Sequence, residues 1–243
     1  MKSKISIYAM LMSVVMMMTA CSKEEEETSA STGYQGRRIK EIVQYRTYLL
    51  PQTTGSDTTV YSFEWQENQL NLIKGRASLY YIDGKVSRFG IYEIIWNGDE
   101  VSKVISEKNE KDNWGYYHII TDTLNYTYAN GKPVQVDDRM YTWTGNNIIQ
   151  EDEGQYSYKY TYDTKKNPFK GLPEVLFESP ISNDLFTFSL CENNITSFQL
   201  VDQTGAVLFE CELAYEYDAQ GYPVELTFSY LQIDYTYRIT YYE

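Results

Sequence analysis

The stretch Tyr156–Gly171, YSYKYTYDTKKNPFKG, sets a pattern that much of the chain repeats. Tyr156, Tyr158, Tyr160 and Tyr162 alternate with Ser157, Lys159 and Thr161. A period of two puts the tyrosines on one face of a strand and the small or charged residues on the other. Asp163 to Pro168 then break it, because Asp and Asn form local side-chain turns and Pro cannot donate to a ladder. The same tile recurs at SLYYIDGKV (Ser78–Val86), YEIIWNGDEV (Tyr92–Val101), NYTYANGKPV (Asn125–Val134), YTWTGNNI (Tyr141–Ile148), TFSLCENNI (Thr187–Ile195) and AYEYDAQGYPV (Ala214–Val224).

An anchoring aromatic precedes each turn at Trp65, Tyr81, Trp96, Tyr128, Trp143 and Tyr162, and a second polar break falls inside each interval. Each tile therefore reads as a hairpin of two short antiparallel strands. Turns after the aromatics line one edge of a meander, and the second breaks line the other. With 25 Tyr, 9 Phe and 4 Trp and little helical periodicity, the fold class is all-β. The expected architecture is a single large, strongly curved antiparallel meander, either a partial barrel or a two-layer wrap, because an open sheet of this many strands curls or splits. A transmembrane barrel is not expected, since most strands are too short and carry Glu, Lys or Thr outward.

Met1–Ala20 has a basic start (Lys2, Lys4), an apolar run over Ile5–Met18 and small residues before Cys21, the layout of a processed export segment. The run is too short and wrongly flanked for a stable transmembrane helix. Met18-Thr19-Ala20-Cys21 resembles a bacterial lipobox, which implies cleavage before Cys21, lipidation of Cys21 and anchoring to a membrane without spanning it. The alternative is an ordinary secretory peptide cut nearby. Residues 21–36 then form an acidic tether: Ser22-Lys23-Glu24-Glu25-Glu26-Glu27 resembles the surface-export signal of Bacteroidota lipoproteins, and Thr28–Gly36 reads as a spacer. The outward face of the outer membrane is the expected location, with the periplasmic face as alternative. Residues 37–243 form one β-rich domain, with no linker or shift of composition inside it. A net charge of −13, more negative still without Lys2 and Lys4, argues against nucleic acid or anionic lipid as a partner.

Within that domain, Arg38–Leu50 reads as a first strand, with a short helix as the alternative. Pro51–Thr59 reads as a turn region before the strand Val60–Trp65. Two insertions, Ser106–Gly115 and Phe169–Asp184, are expected at second breaks and so on one common edge; the second has room for a helical turn over Pro173–Glu178. Cys191 and Cys211 would flank one middle strand from opposite sides, roughly 9–10 Å apart, too far for a disulfide. Two free, buried thiols are expected.

The aromatic-x-aromatic-turn tile is similar to the YD repeats of Rhs-type shells, most clearly at Tyr160–Asp163 and Tyr215–Asp218. TYDTKKNPFKGL (Thr161–Leu172), NNIT (Asn193–Thr196) and YEYDAQGYPVEL (Tyr215–Leu226) more closely resemble uncharacterised Bacteroidota lipoproteins with a porin-like β fold. The resemblance implies a curved antiparallel sheet and a lipoprotein address. It brings no activity and no functional residues.

The chemistry is sparse. His118, the one histidine, has no second His beside it in sequence for a zinc or triad role and reads as a hydrogen-bonded strand residue. No nucleophile elbow, phosphate loop, dinucleotide fingerprint or calcium loop is present, and no catalytic residue, metal ligand or cofactor is assigned. Asp99-Glu100, Asp137-Asp138 and Glu151-Asp152-Glu153 read as turn acids, so an enzyme is not expected, although two carboxylates are all a glycoside hydrolase needs. Trp65, Trp96 and Trp143 hold tile positions and read as structural. Trp114 lies off the register beside Tyr116 and Tyr117. Exposed flat rings stack on sugars, so Trp114, Tyr116 and Tyr117 are the candidate ligand-binding residues, the alternative being that Trp114 folds back as a cap. The leading expectation is a surface-anchored, non-enzymatic protein that binds an extracellular ligand, possibly a glycan. The rival is an accessory subunit docking on an outer-membrane protein through an open sheet edge.

Overall fold

The computed structural model describes residues 36–50, 53–74, 77–112, 114, 116–172 and 189–243. The export segment, Cys21, most of the tether and the helical turn expected at 173–178 lie outside the described residues. Those described belong to one compact unit, Gly33–Glu243.

The chain forms seventeen strands: β1 Ile39–Leu50, β2 Thr53–Gln66, β3 Gln69–Lys74, β4 Ala77–Ile82, β5 Lys85–Phe89, β6 Tyr92–Asn97, β7 Glu100–Lys111, β8 Tyr117–Ala129 and β9 Lys132–Val136. They continue as β10 Arg139–Thr144, β11 Asn147–Glu153, β12 Tyr156–Lys166, β13 Asn193–Asp202, β14 Val207–Glu212, β15 Ala214–Tyr217, β16 Pro223–Tyr230 and β17 Ile233–Tyr241. Consecutive strands from β1 to β14 pair antiparallel, as do β15, β16 and β17, and β17 returns to β1. The result is one nearly closed, barrel-like meander, with no helix among the described residues.

Sixteen strict reversals between seventeen strands would bring β17 alongside β1 in parallel, yet the two are antiparallel. The missing reversal lies at Leu213, the only residue between β14 and β15. β14 pairs with β13, whereas β15 pairs with β16. One continuous row of chain therefore changes partner midway, which leaves an even number of rows and lets the sheet close.

The tiles curve the sheet by one repeated device. A register shift falls immediately before Trp65, Tyr81, Trp96, Tyr128, Trp143, Tyr162 and Tyr217. An extra residue at each site bends the strand and increases its twist. Asp83-Gly84 (φ 52° and 78°) and Asn130-Gly131 (φ 53° and 70°) supply the double positive φ of a type I′ hairpin turn, which Asn, Asp and Gly tolerate.

Several anchoring rings then tie their tile to the previous one. Trp96 donates its indole N–H to the Val86 carbonyl (2.7 Å), and Val86 is the residue paired with Tyr81. Likewise Tyr81 donates to Leu70 (2.6 Å), Trp143 to Pro133 (2.7 Å) and Tyr241 to Pro223 (2.7 Å). Their acceptors pair with Trp65, Tyr128 and Tyr217. Trp65 donates to Ile39 (2.7 Å), the partner of Tyr241, so the relay passes across the β17–β1 closure. Lys85 and Lys132 reach the next turn, lying 5.6 Å and 5.2 Å from the centres of Trp96 and Trp143.

The relay departs from this pattern at Tyr217, which donates to the Asp163 carboxylate. There the described ends of the long β12–β13 connection fold inward, burying Asn167, Pro168, Leu172 and Cys191. Leu79, Ile94, Val104, Val136, Ile148 and Ile239 belong to the same buried cluster. Exposed positions carry Glu64, Arg88 and Glu93 as well as Tyr80, Ile82 and Ile95.

Three expectations change. The two insertions sit on opposite rims: β7–β8 closes on the second-break rim, while β12–β13 closes on the aromatic-turn rim, because β12 pairs directly with β13 out to Lys166↔Asn193. Pro51–Thr59 is not all turn, since β2 begins at Thr53. Glu151-Asp152-Glu153 lie in β11, not in a turn. Cys191 and Cys211 are both free and buried as expected, although Cys191 ends no strand; it sits in the inward-folded connection, with its Sγ 3.4 Å from the Ile148 N–H.

Candidate functional site

β7 and β8 pair from Lys103↔Asn125 out to Lys111↔Tyr117. Their neighbours stop well short of that end: β6 reaches only Ser106 and β9 only Tyr126. The outer half of the hairpin therefore stands clear of the sheet, so the insertion expected at Ser106–Gly115 is a strand extension rather than an irregular loop.

Asp112 organises the tip. Its carboxylate accepts the Trp114 and Tyr116 backbone N–H groups, both at 2.9 Å, and its other oxygen lies 2.9 Å from His118 Nε2. The Asp112 N–H donates to the Tyr116 carbonyl at 2.9 Å. His118 is thus a hydrogen-bonded strand residue, and its partner is this turn carboxylate. Lys111 lies 5.6 Å from the Tyr117 ring centre.

Trp114, Tyr116 and Tyr117 are 86%, 68% and 70% exposed, and Ile119 beside them is 69% exposed. Trp114 does not fold back as a cap. Trp65, Trp96 and Trp143 are half-buried and bonded to carbonyls, as structural residues should be. Ile119 is the member of this apolar surface that sequence reading missed; the alternation Tyr117, Ile119 was available to show it.

Two concave features lie elsewhere. An open crease of about 650 Å³ follows the β14–β15 partner change, lined by Thr161, Thr196, Ser197, Glu210, Glu212 and Ser229. Its hydroxyls bond one another, Thr161 to Thr196 at 2.8 Å and to Ser197 at 2.7 Å. A pocket of about 460 Å³ beside the start of β1 is lined by Arg37, Arg38, Lys166, Tyr222, Tyr242 and Glu243. Arg37 pairs with Asp218, and Lys166 lies 5.0 Å from the Tyr222 ring centre. Among the described residues no group of three His, Cys, Asp or Glu side chains is placed to hold a metal ion. Glu151 is an acid largely withdrawn from water: burial pushes its carboxyl up, against the pull of Arg139 (3.8 Å) and a hydrogen bond from Tyr160 (3.0 Å).

No protein-family model and no curated protein matches the chain. Solved structures similar to it include two porin-like proteins. A porin-like protein from Bacteroides vulgatus aligns at a TM-score of 0.50 and 8% identity, over 85% of this chain and 99% of that one. A porin-like protein from Bacteroides uniformis aligns at 0.44 and 11% identity, over 87% of this chain and 100% of that one. At such identities the first likeness speaks to fold alone, and at that level it agrees with the porin-like resemblance of the sequence.

Proposed function

We propose that this chain is a lipid-anchored, non-enzymatic surface protein that binds an extracellular ligand, a glycan being the class that fits, through Trp114, Tyr116 and Tyr117. The observation that carries this reading is the projecting β7–β8 hairpin, which holds these rings in water on a tip braced by Asp112. Clustered exposed rings mark an interaction surface, and a sugar's apolar face covers them while its hydroxyls stay solvated.

The geometry also suits anchoring at Cys21. β1 begins at Ile39 on the aromatic-turn rim, and the hairpin closes on the opposite rim. The accessory-subunit reading keeps a place beside this one, because part of β8 is an unpaired sheet edge.

The test is a glycan array and polysaccharide pull-down with the chain from Thr28, which retains the whole compact unit Gly33–Glu243. Binding lost in Trp114→Ala supports the reading. Binding unchanged in that variant sinks this site, and sugar released from any bound glycan sinks the non-enzymatic part. For the anchor, Cys21→Ser should abolish acyl-chain labelling and move the protein out of the membrane fraction.

A further inference from the structure

β8 is paired on one side only over much of its length. It pairs with β7 throughout Tyr117–Asn125, but its pairing with β9 begins only at Tyr126. Just below that start, the Asn125 N–H donates to the Asp137 carboxylate (2.9 Å) and the Asn125 carbonyl accepts the Asp137 N–H (3.0 Å). Both Asn125 groups thus face the β9 side. Backbone groups alternate sides with a period of two. Thr123, Thr121, Ile119 and Tyr117 therefore present their N–H and C=O groups on that same side, where no described strand lies opposite.

Exposed edges are normally blunted by lysine, proline, bulges or brevity. The free edge of β7 beyond Ser106 follows that rule, with Glu107, Lys108, Glu110 and Lys111. The free edge of β8 does not. YHIITDTL, Tyr117–Leu124, contains no Lys and no Pro, is rich in Ile and Thr, and shows no register shift against β7. Its one carboxylate, Asp122, is already paired with Lys108 at 3.1 Å.

We infer that the Tyr117–Thr123 edge of β8 is a strand-addition site that takes an extended segment of a partner polypeptide. Main-chain hydrogen bonds to Tyr117, Ile119, Thr121 and Thr123 supply the affinity, and alternate side chains of the guest lie over the exposed Tyr117 and Ile119 rings and methyls. An antiparallel guest continues the line of β9, so its N-terminal end meets the Asp137-Asp138 turn. The complementary guest is uncharged and β-branched along its length, with Lys or Arg at that end. A second copy of this chain is the poorer occupant. Each copy carries a net charge of −13, and so short an edge falls well below the roughly 1,200 Å² that a stable dimer buries.

The inference builds on the accessory-subunit reading and is independent of glycan binding. The probe is a short synthetic peptide of alternating valine and threonine with lysine at each end, added to the chain from Thr28. Amide hydrogen exchange should slow at least tenfold at Tyr117, Ile119, Thr121 and Thr123 and stay unchanged at His118, Ile120 and Asp122, which face β7. Ile119→Pro removes an edge donor and obstructs the edge without touching a β7 bond, so it should weaken peptide binding at least tenfold. Retained protection of His118 and Ile120 shows that the variant keeps its hairpin. Thr121→Ser, which preserves the backbone, should bind as the parent does. No added protection at saturating peptide, or equal binding by Ile119→Pro, overturns the inference. Protection of the same amides that rises with chain concentration and needs no peptide assigns the edge to a second copy and overturns the partner. The glycan array reads out separately, so failure of either proposal leaves the other standing.

Discussion

Trp96 donates its indole N–H to the carbonyl of Val86, the residue that pairs with Tyr81 one tile earlier. The extra residue lies opposite, in β7, where Ile95 pairs with Lys103 and Trp96 with Val101, so curvature and the cross-tile bond fall at the same site. Trp96→Phe keeps most of the ring and removes the donor. It should cost about 1 kcal/mol in urea unfolding, the usual net value of one hydrogen bond. Tyr80→Phe, on the exposed outer face of the neighbouring tile, should stay within about 0.5 kcal/mol. Equal effects would deny the relay a role in stability.

Much of this was legible in the sequence. Period-two aromatics before Asp-Gly, Asn-Gly or Gly-Asn turns define the hairpins, and Val207–Tyr217 reads as one regular run, which is how β14 and β15 lie in space. The bulges were not legible, because an extra residue in one strand leaves no mark in composition. The rim of the second insertion was misplaced for a related reason. Asp163–Pro168 looks like a finished turn, but β12 runs on to Lys166; Asn167, Pro168 and Leu172 tuck into the core, and β13 opens at Asn193. Trp114 stood out by falling off the tile register. The free edge of β8 depends on where β9 stops, which only the register reveals.

Asp112 braces the hairpin tip through two backbone N–H groups and His118. The tip holds Trp114, Tyr116 and Tyr117 in water, so Asp112→Ala should change global stability by less than about 1 kcal/mol. Amide exchange at Trp114 and Tyr116 should instead accelerate at least tenfold. A glycan that needs both rings held in place should then bind the variant more weakly than the parent. Unchanged exchange at both amides would remove Asp112 from this role.

Cys191 and Cys211 should be silent as reagents. Burial pushes the Cys191 thiol up, and it pushes Cys211 up to about 11. The thiolate is the reactive form, and at neutral pH almost none is present. In the chain from Thr28, which lacks Cys21, neither residue should take up iodoacetamide under native conditions, and both should label in urea. Native labelling of Cys211 would mean that the β14–β15 partner change opens readily, since its Sγ lies 3.4 Å from the Ser229 carbonyl across that crease.

Glu151 gives the fold a pH dependence of defined sign. Burial raises its carboxyl above the ordinary glutamate range even with Arg139 and Tyr160 beside it. In the folded chain the charged form is thus disfavoured relative to the unfolded chain. No penalty exists below the ordinary value, where both states are protonated. The penalty grows as pH rises toward the folded value and is complete above it. Glu151→Gln retains an acceptor for the Tyr160 hydroxyl and removes the charge. Its stability relative to the parent should therefore be higher near pH 7 than near pH 4, as measured by urea midpoints at the two pH values. A relative stability that falls with rising pH would mean that attraction to Arg139 outweighs desolvation, and that Glu151 serves as a paired charge on the inner face of β11.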